Sequence, residues 1–432
     1  MTATREGCCT RSSLHLQLAF ELGWSQWKLA FTIGHGQPPR LRTIGARNLS
    51  TLLKEIGKAK RRFGLPDDAA VVSCYEAGRD GFWLHRWLTS QGITNVIVDS
   101  ASIEVNRRKR RAKSDHLDAT KLVSMLLRYH AGESKVWSVV KVPDVADEDR
   151  RQLHRELIEV QDERTEHVNR IKALLAGQGI ALATVTTNFS KELAELQRWD
   201  GSELGTDLRQ RLLREFARWQ LTDRHVKELE TERKQRIRSD ETPHVERVRS
   251  LLELAGIGLS GTWLLVYELF AWRKFSNRRQ VGAIVGLTPT PYQSGDCSRE
   301  QGISKAGNRM VRRMLVELAW AWLRWQPDSE LSQWYQRRFA YHGKRARKVG
   351  VVALARKLLI ALWRYVEQGE VPAGARLTSW RAKVNAKATG AGQEYGGVTN
   401  SACGERRLTA EHGRRRQRRI EDWSGATVAA AG

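Results

Sequence analysis

Apolar and polar residues alternate with period two from Leu14 to Ile33. Leu14, Leu16, Leu18 and Phe20 form one set, His15, Gln17, Ala19 and Glu21 the other, and a break at Gly23 to Gln26 precedes a second run, Trp27-Lys28-Leu29-Ala30-Phe31. Such alternation around a polar, glycine-bearing break predicts a β-hairpin. Two further short apolar runs, Ala70 to Tyr75 and Val96 to Val98, flank a helical stretch from Phe82 to Leu88. Strand, helix, strand implies a parallel pair, and hence an α/β domain over residues 14–140 that closes with a helix opened by Ser114.

Beyond that domain the period changes. Between about Glu148 and Arg247 the chain is charged and leucine-rich, with Leu153, Leu157 and Val160, then Val168, Ile171 and Leu175, at helical spacing. Gly177, Gly179 and the polar segment Thr186 to Ser190 interrupt it, which predicts two helices returning antiparallel, a coiled-coil or hairpin arm over 148–247. Residues 248–370 are helical again but carry glycine interruptions at Gly256/Gly258 and Gly295/Gly302/Gly307. From Gly374 to Gly432 apolar residues are sparse. There, Arg376 to Trp423 holds eleven Lys/Arg against five Asp/Glu, so a mostly disordered basic tail is expected.

Charge narrows the class of protein. Across 432 residues, 73 Lys+Arg against 48 Asp+Glu leave a formal net charge of +25, which calls for a polyanionic partner, in a cytoplasmic protein nucleic acid. A run of eighteen apolar residues is missing, and Met1 to Ser13 lack the basic-then-apolar order of a signal peptide, so neither a membrane partner nor secretion is expected. Cys8, Cys9, Cys74, Cys297 and Cys403 show no C-x-x-C spacing and are read as reduced thiols. Scaffold, nuclease and recombinase stay open on these grounds.

Acidic residues carry the first chemical signal. In Lys113-Ser114-Asp115-His116-Leu117-Asp118, Ser114 suits an N-cap, and Asp115 and Asp118 share a helix face that Leu122 and Met125 continue toward the sheet. Acids in a first helical turn also complement the helix dipole, which is the plainer reading of this pair alone. Glu21 closes the first strand, however, and Glu76 follows the Val71 to Tyr75 run. Four carboxylates at strand ends and on a helix face of one small domain suit Mg²⁺ or Mn²⁺ acting on a phosphodiester, with Asp99 as a competing acid. Just upstream, Arg107, Arg108, Lys109, Arg110, Arg111 and Lys113 place six cations in seven residues, able to hold a backbone that the acids would repel.

These residues resemble a known family, the insertion-sequence one-ten transposases. The likeness rests on Ala19-Phe20-Glu21-Leu22-Gly23 with Trp27 to Phe31, Tyr75-Glu76-Ala77-Gly78, and Arg111 to Ala119 in the N-terminal part. In the C-terminal part it rests on Leu254-Ala255-Gly256-Ile257-Gly258, Gly286-Leu287-Thr288-Pro289, Gln293-Ser294-Gly295, Ile303 to Asn308 and Ala355 to Leu359. The resemblance implies an RNase H-like (RuvC-like) DEDD domain joined by the helical arm to a helical serine domain. It puts Glu21, Glu76, Asp115 and Asp118 at the acidic positions, the first usually Asp in the family, and makes Ser294 the nucleophile. It further implies donor and target DNA and a structured guide RNA from the element's flank, while the helical arm is expected to make the chain a homo-oligomer.

Read physically, Ser294 lies in a turn-rich loop beside Gly295, approachable by a phosphate, with no histidine close in sequence to activate it. The acidic metal cluster is then the expected activator. Gly256 and Gly258 resemble a helix-hairpin-helix turn whose N–H groups meet phosphate, though a plain helix-helix turn explains them equally. Lys305, Asn308, Arg312 and Arg313 open the next helix and suit phosphate rather than bases. Trp320, Trp322 and Trp325 fit a core better than a stacking platform. The expected function is DNA strand exchange through a phosphoserine intermediate. The alternatives are a RuvC-like junction nuclease using metal-activated water and an inactive nucleic-acid-binding remnant.

Overall fold

In a computed structural model the alternating segment forms its hairpin, β1 (Leu16–Leu22) paired antiparallel with β2 (Gln26–Thr32). The structure describes residues 15–104, 115–133, 135–294 and 297–385, and of the side chains of 115–117, 292, 294 and 297–300 nothing is said. The chain divides into two units, 1–144 and 145–432.

In the first unit β3 (Arg40–Gly45) pairs antiparallel with β2, α1 (Leu49–Arg62) follows, and β4 (Val71–Glu76), α2 (Trp83–Ser90) and β5 (Thr94–Val98) form the expected parallel crossover. β4 also pairs parallel with β1, so the mixed five-stranded sheet runs β3-β2-β1-β4-β5. The period of two sorts its faces. Leu16, Leu18, Phe20, Trp27, Leu29, Tyr75 and Ile97 pack with Leu52 and Ile56 of α1 and Leu84 and Leu88 of α2. On the other face Ala19, Ala30, Val72, Cys74 and Val98 meet Ala119, Leu122, Val123 and Leu126 of α3 (Asp115–His130). Two alanines on the central strands, in place of larger residues, let this helix lie close against the sheet.

The second unit begins with α4 (Val145–Arg150), α5 (Gln152–Ala176), α6 (Phe189–Glu195) and α7 (Thr206–Ser239). Gln161–Glu230, Arg164–Asp223 and His167–Glu215 contacts climb α5 while descending α7, so the two run antiparallel. Ile171, Leu175, Phe189, Leu212, Phe216 and Trp219 form a separate small core at the far end of this arm. Then come α8 (Pro243–Glu253), α9 (Leu259–Leu265) running into a π-helical turn to Phe270, α10 (Arg278–Ile284), β6 (Pro289–Ser294), β7 (Cys297–Ile303), α11 (Arg309–Trp325), α12 (Glu330–Tyr335), α13 (Lys344–Gln368) and α14 (Trp380–Asn385). Trp263, Leu315, Trp322, Leu354 and Leu358 centre their core.

Three expectations change. The unit read as helical from 248 onward holds a two-stranded antiparallel sheet, β6 with β7. The basic tail is ordered at its start: Leu377 bridges Leu254, and the Lys383 ammonium donates to the carbonyls of Leu252, Leu254 and Ile257 at 2.5, 2.8 and 3.1 Å. Its remainder, 386–432, lies outside the described residues. Of the three tryptophans read as core, Trp322 is fully buried but Trp320 is 47% exposed.

Candidate active site

The acids of the first unit gather at one end of the sheet. β1 and β4 are in parallel register from Leu16↔Val71 to Phe20↔Tyr75, so the next step puts Glu21 beside Glu76 on adjacent strands, about 4.8 Å apart in the backbone. Both follow residues of the α3-facing set, Ala19 before Glu21 and Cys74 before Glu76, and therefore project to that face. α3 runs antiparallel to these strands. His130 at its C-terminal end is within electrostatic reach of His15, just ahead of β1, and burial first and that neighbour second lower its imidazole pKa. Midway, the Cys74 thiol reaches the Leu122 carbonyl at 3.8 Å.

From that contact Asp118 lies one helical turn toward the strand ends, about 6 Å, and Glu76 two strand residues in the same direction, about 6.6 Å. Glu21, Glu76 and Asp118 therefore stand at one level. Asp118 is half-buried, on the stripe that Leu122 and Met125 continue, as its spacing predicted. Asp115 begins the same helix, its side chain outside the described set, and Ser114 and Arg107 to Lys113 also lie outside the described residues. Among the described residues no group of three or more His, Cys, Asp or Glu is drawn close enough to hold a metal ion. Asp99, the competing acid, caps the short turn after β5 by accepting from the Ala101 N–H at 3.1 Å.

In the second unit Ser294 is the last residue of β6, opposite Cys297 across the hairpin, so it sits at a hairpin tip and not in the loop expected from its turn-forming neighbours. The base of that hairpin is an interlock of two glycine segments. The Lys305 N–H donates to Gly286 O at 3.1 Å, Ser304 N–H to Thr288 O at 2.9 Å, and Asn308 N–H to Ile284 O at 3.1 Å. Gly286 (φ +67) and Gly307 (φ +81) meet so closely that a Cβ on either would come within 2.0 Å of Ala306 O or 2.1 Å of Ile284 O. Sequence reading quoted both segments but missed that they clasp each other.

The two arginines expected at this helix start have internal partners. Lys305 precedes α11 with a left-handed φ of +57, whereas Asn308 is the N-cap, accepting from the N–H groups of Met310 and Val311. Arg312 donates to the carbonyls of Val285 at 2.9 Å and Ala306 at 3.3 Å, reinforcing the clasp, and Arg313 is exposed with Glu317 at 3.2 Å. Beneath them the buried Glu268 accepts from Arg151, Arg155 and the Asn308 amide. Burial pushes its carboxyl up, but the hydrogen bonds from Arg155 and Arg151 outweigh that and hold it below the usual carboxylate range. Gly256 (φ +82) is buried against Trp325 and the Ala321 carbonyl, where a Cβ would stand tightly at 3.0 and 3.1 Å, while Gly258 is the N-cap of α9.

Residues 248–336 match the model of the Transposase IS116/IS110/IS902 family. A protein of Sinorhizobium fredii named "Putative transposase y4rJ" is 39% identical over 372 residues, 83% of this chain and 93% of that protein. The transposase for insertion sequence element IS1328 of Yersinia enterocolitica is 30% identical over 222 residues, 51% of this chain and 63% of that protein. The transposase for insertion sequence element IS1111A of Coxiella burnetii is 27% identical over 209 residues, 48% and 55% respectively.

Proposed function

The chain belongs to the IS116/IS110/IS902 family of insertion-sequence transposases, and from that premise we propose that it exchanges DNA strands through a covalent phosphoserine at Ser294. The observation that carries this reading is the hairpin: Ser294 stands at its tip inside the family-matched region, on a base clasped by two glycines. As the Ser294 Oγ–P bond forms, a P–O bond to deoxyribose breaks, and the departing sugar oxygen takes up the proton that the serine gives up. Attack by another sugar hydroxyl reverses the step, so the phosphodiester is resealed without ATP.

Glu21, Glu76, Asp115 and Asp118 are the proposed ligands of Mg²⁺ or Mn²⁺. An all-carboxylate donor set at one end of a sheet fits a hard cation, which would polarise the phosphate when bound. The strand order β3-β2-β1-β4-β5, a meander followed by a parallel crossover, supports the RNase H-like (RuvC-like) reading of this unit. The net charge of +25 supports nucleic-acid partners; a guide RNA rests on the family resemblance, and a homo-oligomer on the paired helices of the α5–α7 arm.

Element-end DNA incubated with the full chain and Mg²⁺ is expected to carry phenol-resistant protein at a cleaved end. Ser294→Ala and Asp118→Asn should each remove the adduct while both still bind DNA. An adduct surviving in Ser294→Ala overturns the serine assignment, and free ends without any adduct in the unaltered chain favour a nuclease using activated water.

A further inference from the structure

We propose that Trp24, between Arg47 and Arg79, is a stacking platform for an unpaired base of the DNA strand that runs past Glu21 and Glu76. The inference rests on the action of the family on DNA and takes the path of the strand from the proposed acidic site, but it needs neither the serine chemistry nor a bound metal. Trp24 occupies the corner of the β1–β2 turn. The Gly23 N–H donates to Gln26 O at 3.1 Å, and a Cβ on Gly23 would lie 2.4 Å from that oxygen, so the turn closes tightly and pushes the next residue outward. The indole is 69% exposed, in a unit that fully buries Trp27 three residues later.

Two guanidinium groups approach this ring, Arg47 at 5.1 Å and Arg79 at 4.8 Å from its centroid. Both are fixed from behind by Asp80, whose side chain is only 4% exposed and accepts from Arg47 at 3.1 Å and Arg79 at 3.5 Å. Arg47 also reaches the Trp24 carbonyl, and its backbone holds φ +63, a region that favours glycine, while the Ala46 N–H is tied to Ser25 O at 2.9 Å. An arginine kept in a conformation its side chain disfavours, to hold its head group beside an exposed indole, is a costly arrangement for an idle surface. One carboxylate set against two cations leaves the cluster positive, and the guanidinium side chains stay 46% and 53% exposed, open to a phosphate.

Position completes the argument. Trp24 follows Glu21 by three residues and Arg79 follows Glu76 by three, so the cluster borders the acidic end of the two central strands. A flat π surface flanked by cations suits a base and its phosphate together, and a base already stacked in a duplex has no free face to offer, so the ligand is an unpaired nucleotide.

The test titrates the full chain, without divalent cation so that no strand is cut, with a single-stranded oligodeoxynucleotide carrying one 2-aminopurine, whose emission falls on stacking. The same sequence is also presented as duplex DNA and as RNA. Trp24→Ala should weaken single-strand binding about tenfold and abolish the quench, Trp24→Phe should keep most of both, and duplex affinity should not change. Arg79→Gln should weaken binding with less effect on the quench. An unaltered melting temperature confirms that the exposed site is not structural. Unchanged affinity and quench in Trp24→Ala, equal weakening on duplex, or a loss confined to RNA would each overturn the platform. Adduct formation at Ser294, assayed separately, reports on the proposed chemistry whichever way this titration falls.

Discussion

Single residues in the second unit set its response to acid. His154 on α5 is 3% exposed, and neither ring nitrogen has a hydrogen-bond partner among the described residues. Burial first, and the Arg233 charge second, push its imidazole down from 6.5 to about 3. Below pH 6.5 the unfolded chain therefore takes up a proton that the folded one refuses. Stability should fall as pH drops from about 6.5 toward about 3 and be flat with respect to this group above 6.5, by up to about 1.4 kcal/mol per pH unit. Thermal melting between about pH 7 and about pH 5 measures it, because ordinary carboxylates titrate lower, near 4. His154→Leu should reduce the slope in that window, leaving the part due to His85, His130 and His244, whose imidazoles burial also holds below the usual range, and an unchanged slope would assign it elsewhere. Nothing in the sequence singled this histidine out: it sits one position from Leu153 on a stripe that read simply as core.

At the scale of elements, legibility followed burial on one face. β1, β2, β4 and β5 were readable because their buried positions alternate or run together, whereas β3 was not, since it is an edge strand with Ile44 alone buried. The acidic end of the sheet was readable because strand ends and helix turns have fixed periods. The β6–β7 hairpin was hidden by Pro289, Pro291 and Gly295, which read as loop, and the ordered start of the tail by Lys383, a cation whose partners are carbonyls remote in sequence. The glycine clasp needs two segments about twenty residues apart to meet, which no local pattern displays. It gives a graded prediction. Gly302→Ala places a side chain at φ +90 in open space and should cost about 1 kcal/mol, whereas Gly307→Ala adds collision with the Ile284 backbone. The second change should open the hairpin to limited proteolysis and remove the DNA adduct while the core around Trp322 stays folded. Equal effects of the two substitutions would mean that the clasp does not position the hairpin.

For the whole molecule the question is which of the 73 Lys and Arg are available to nucleic acid. Many are already engaged within the protein: Arg151 and Arg155 to Glu268, Arg233 to Ser260, Arg312 to backbone carbonyls and, at the surface, Arg128 to Glu104 and Glu133. Those paired with carboxylates contribute little to counterion release when DNA binds because their charge is already met within the protein, and those buried on neutral acceptors are held away from the surface that DNA can reach. The segment Arg107 to Lys113 precedes α3, the helix that carries Asp118, and its six cations have only one carboxylate nearby in sequence on either side, Glu104 and Asp115. Each phosphate contact contributes about 0.9 to the slope of log affinity against log salt. Replacing all six by Gln should therefore lower that slope by up to about five, with the largest loss of affinity at low salt. Arg128→Gln should leave the slope within about one unit of the unaltered chain, since that side chain serves two carboxylates rather than DNA. Filter-binding or anisotropy titrations over a salt series distinguish the two. Should the six-fold variant keep the full slope, the run does not touch the backbone, and the charge that drives binding would have to reside on other cations of the first unit such as Arg47 and Arg79, on the helical unit, or in the basic segment beyond Asn385.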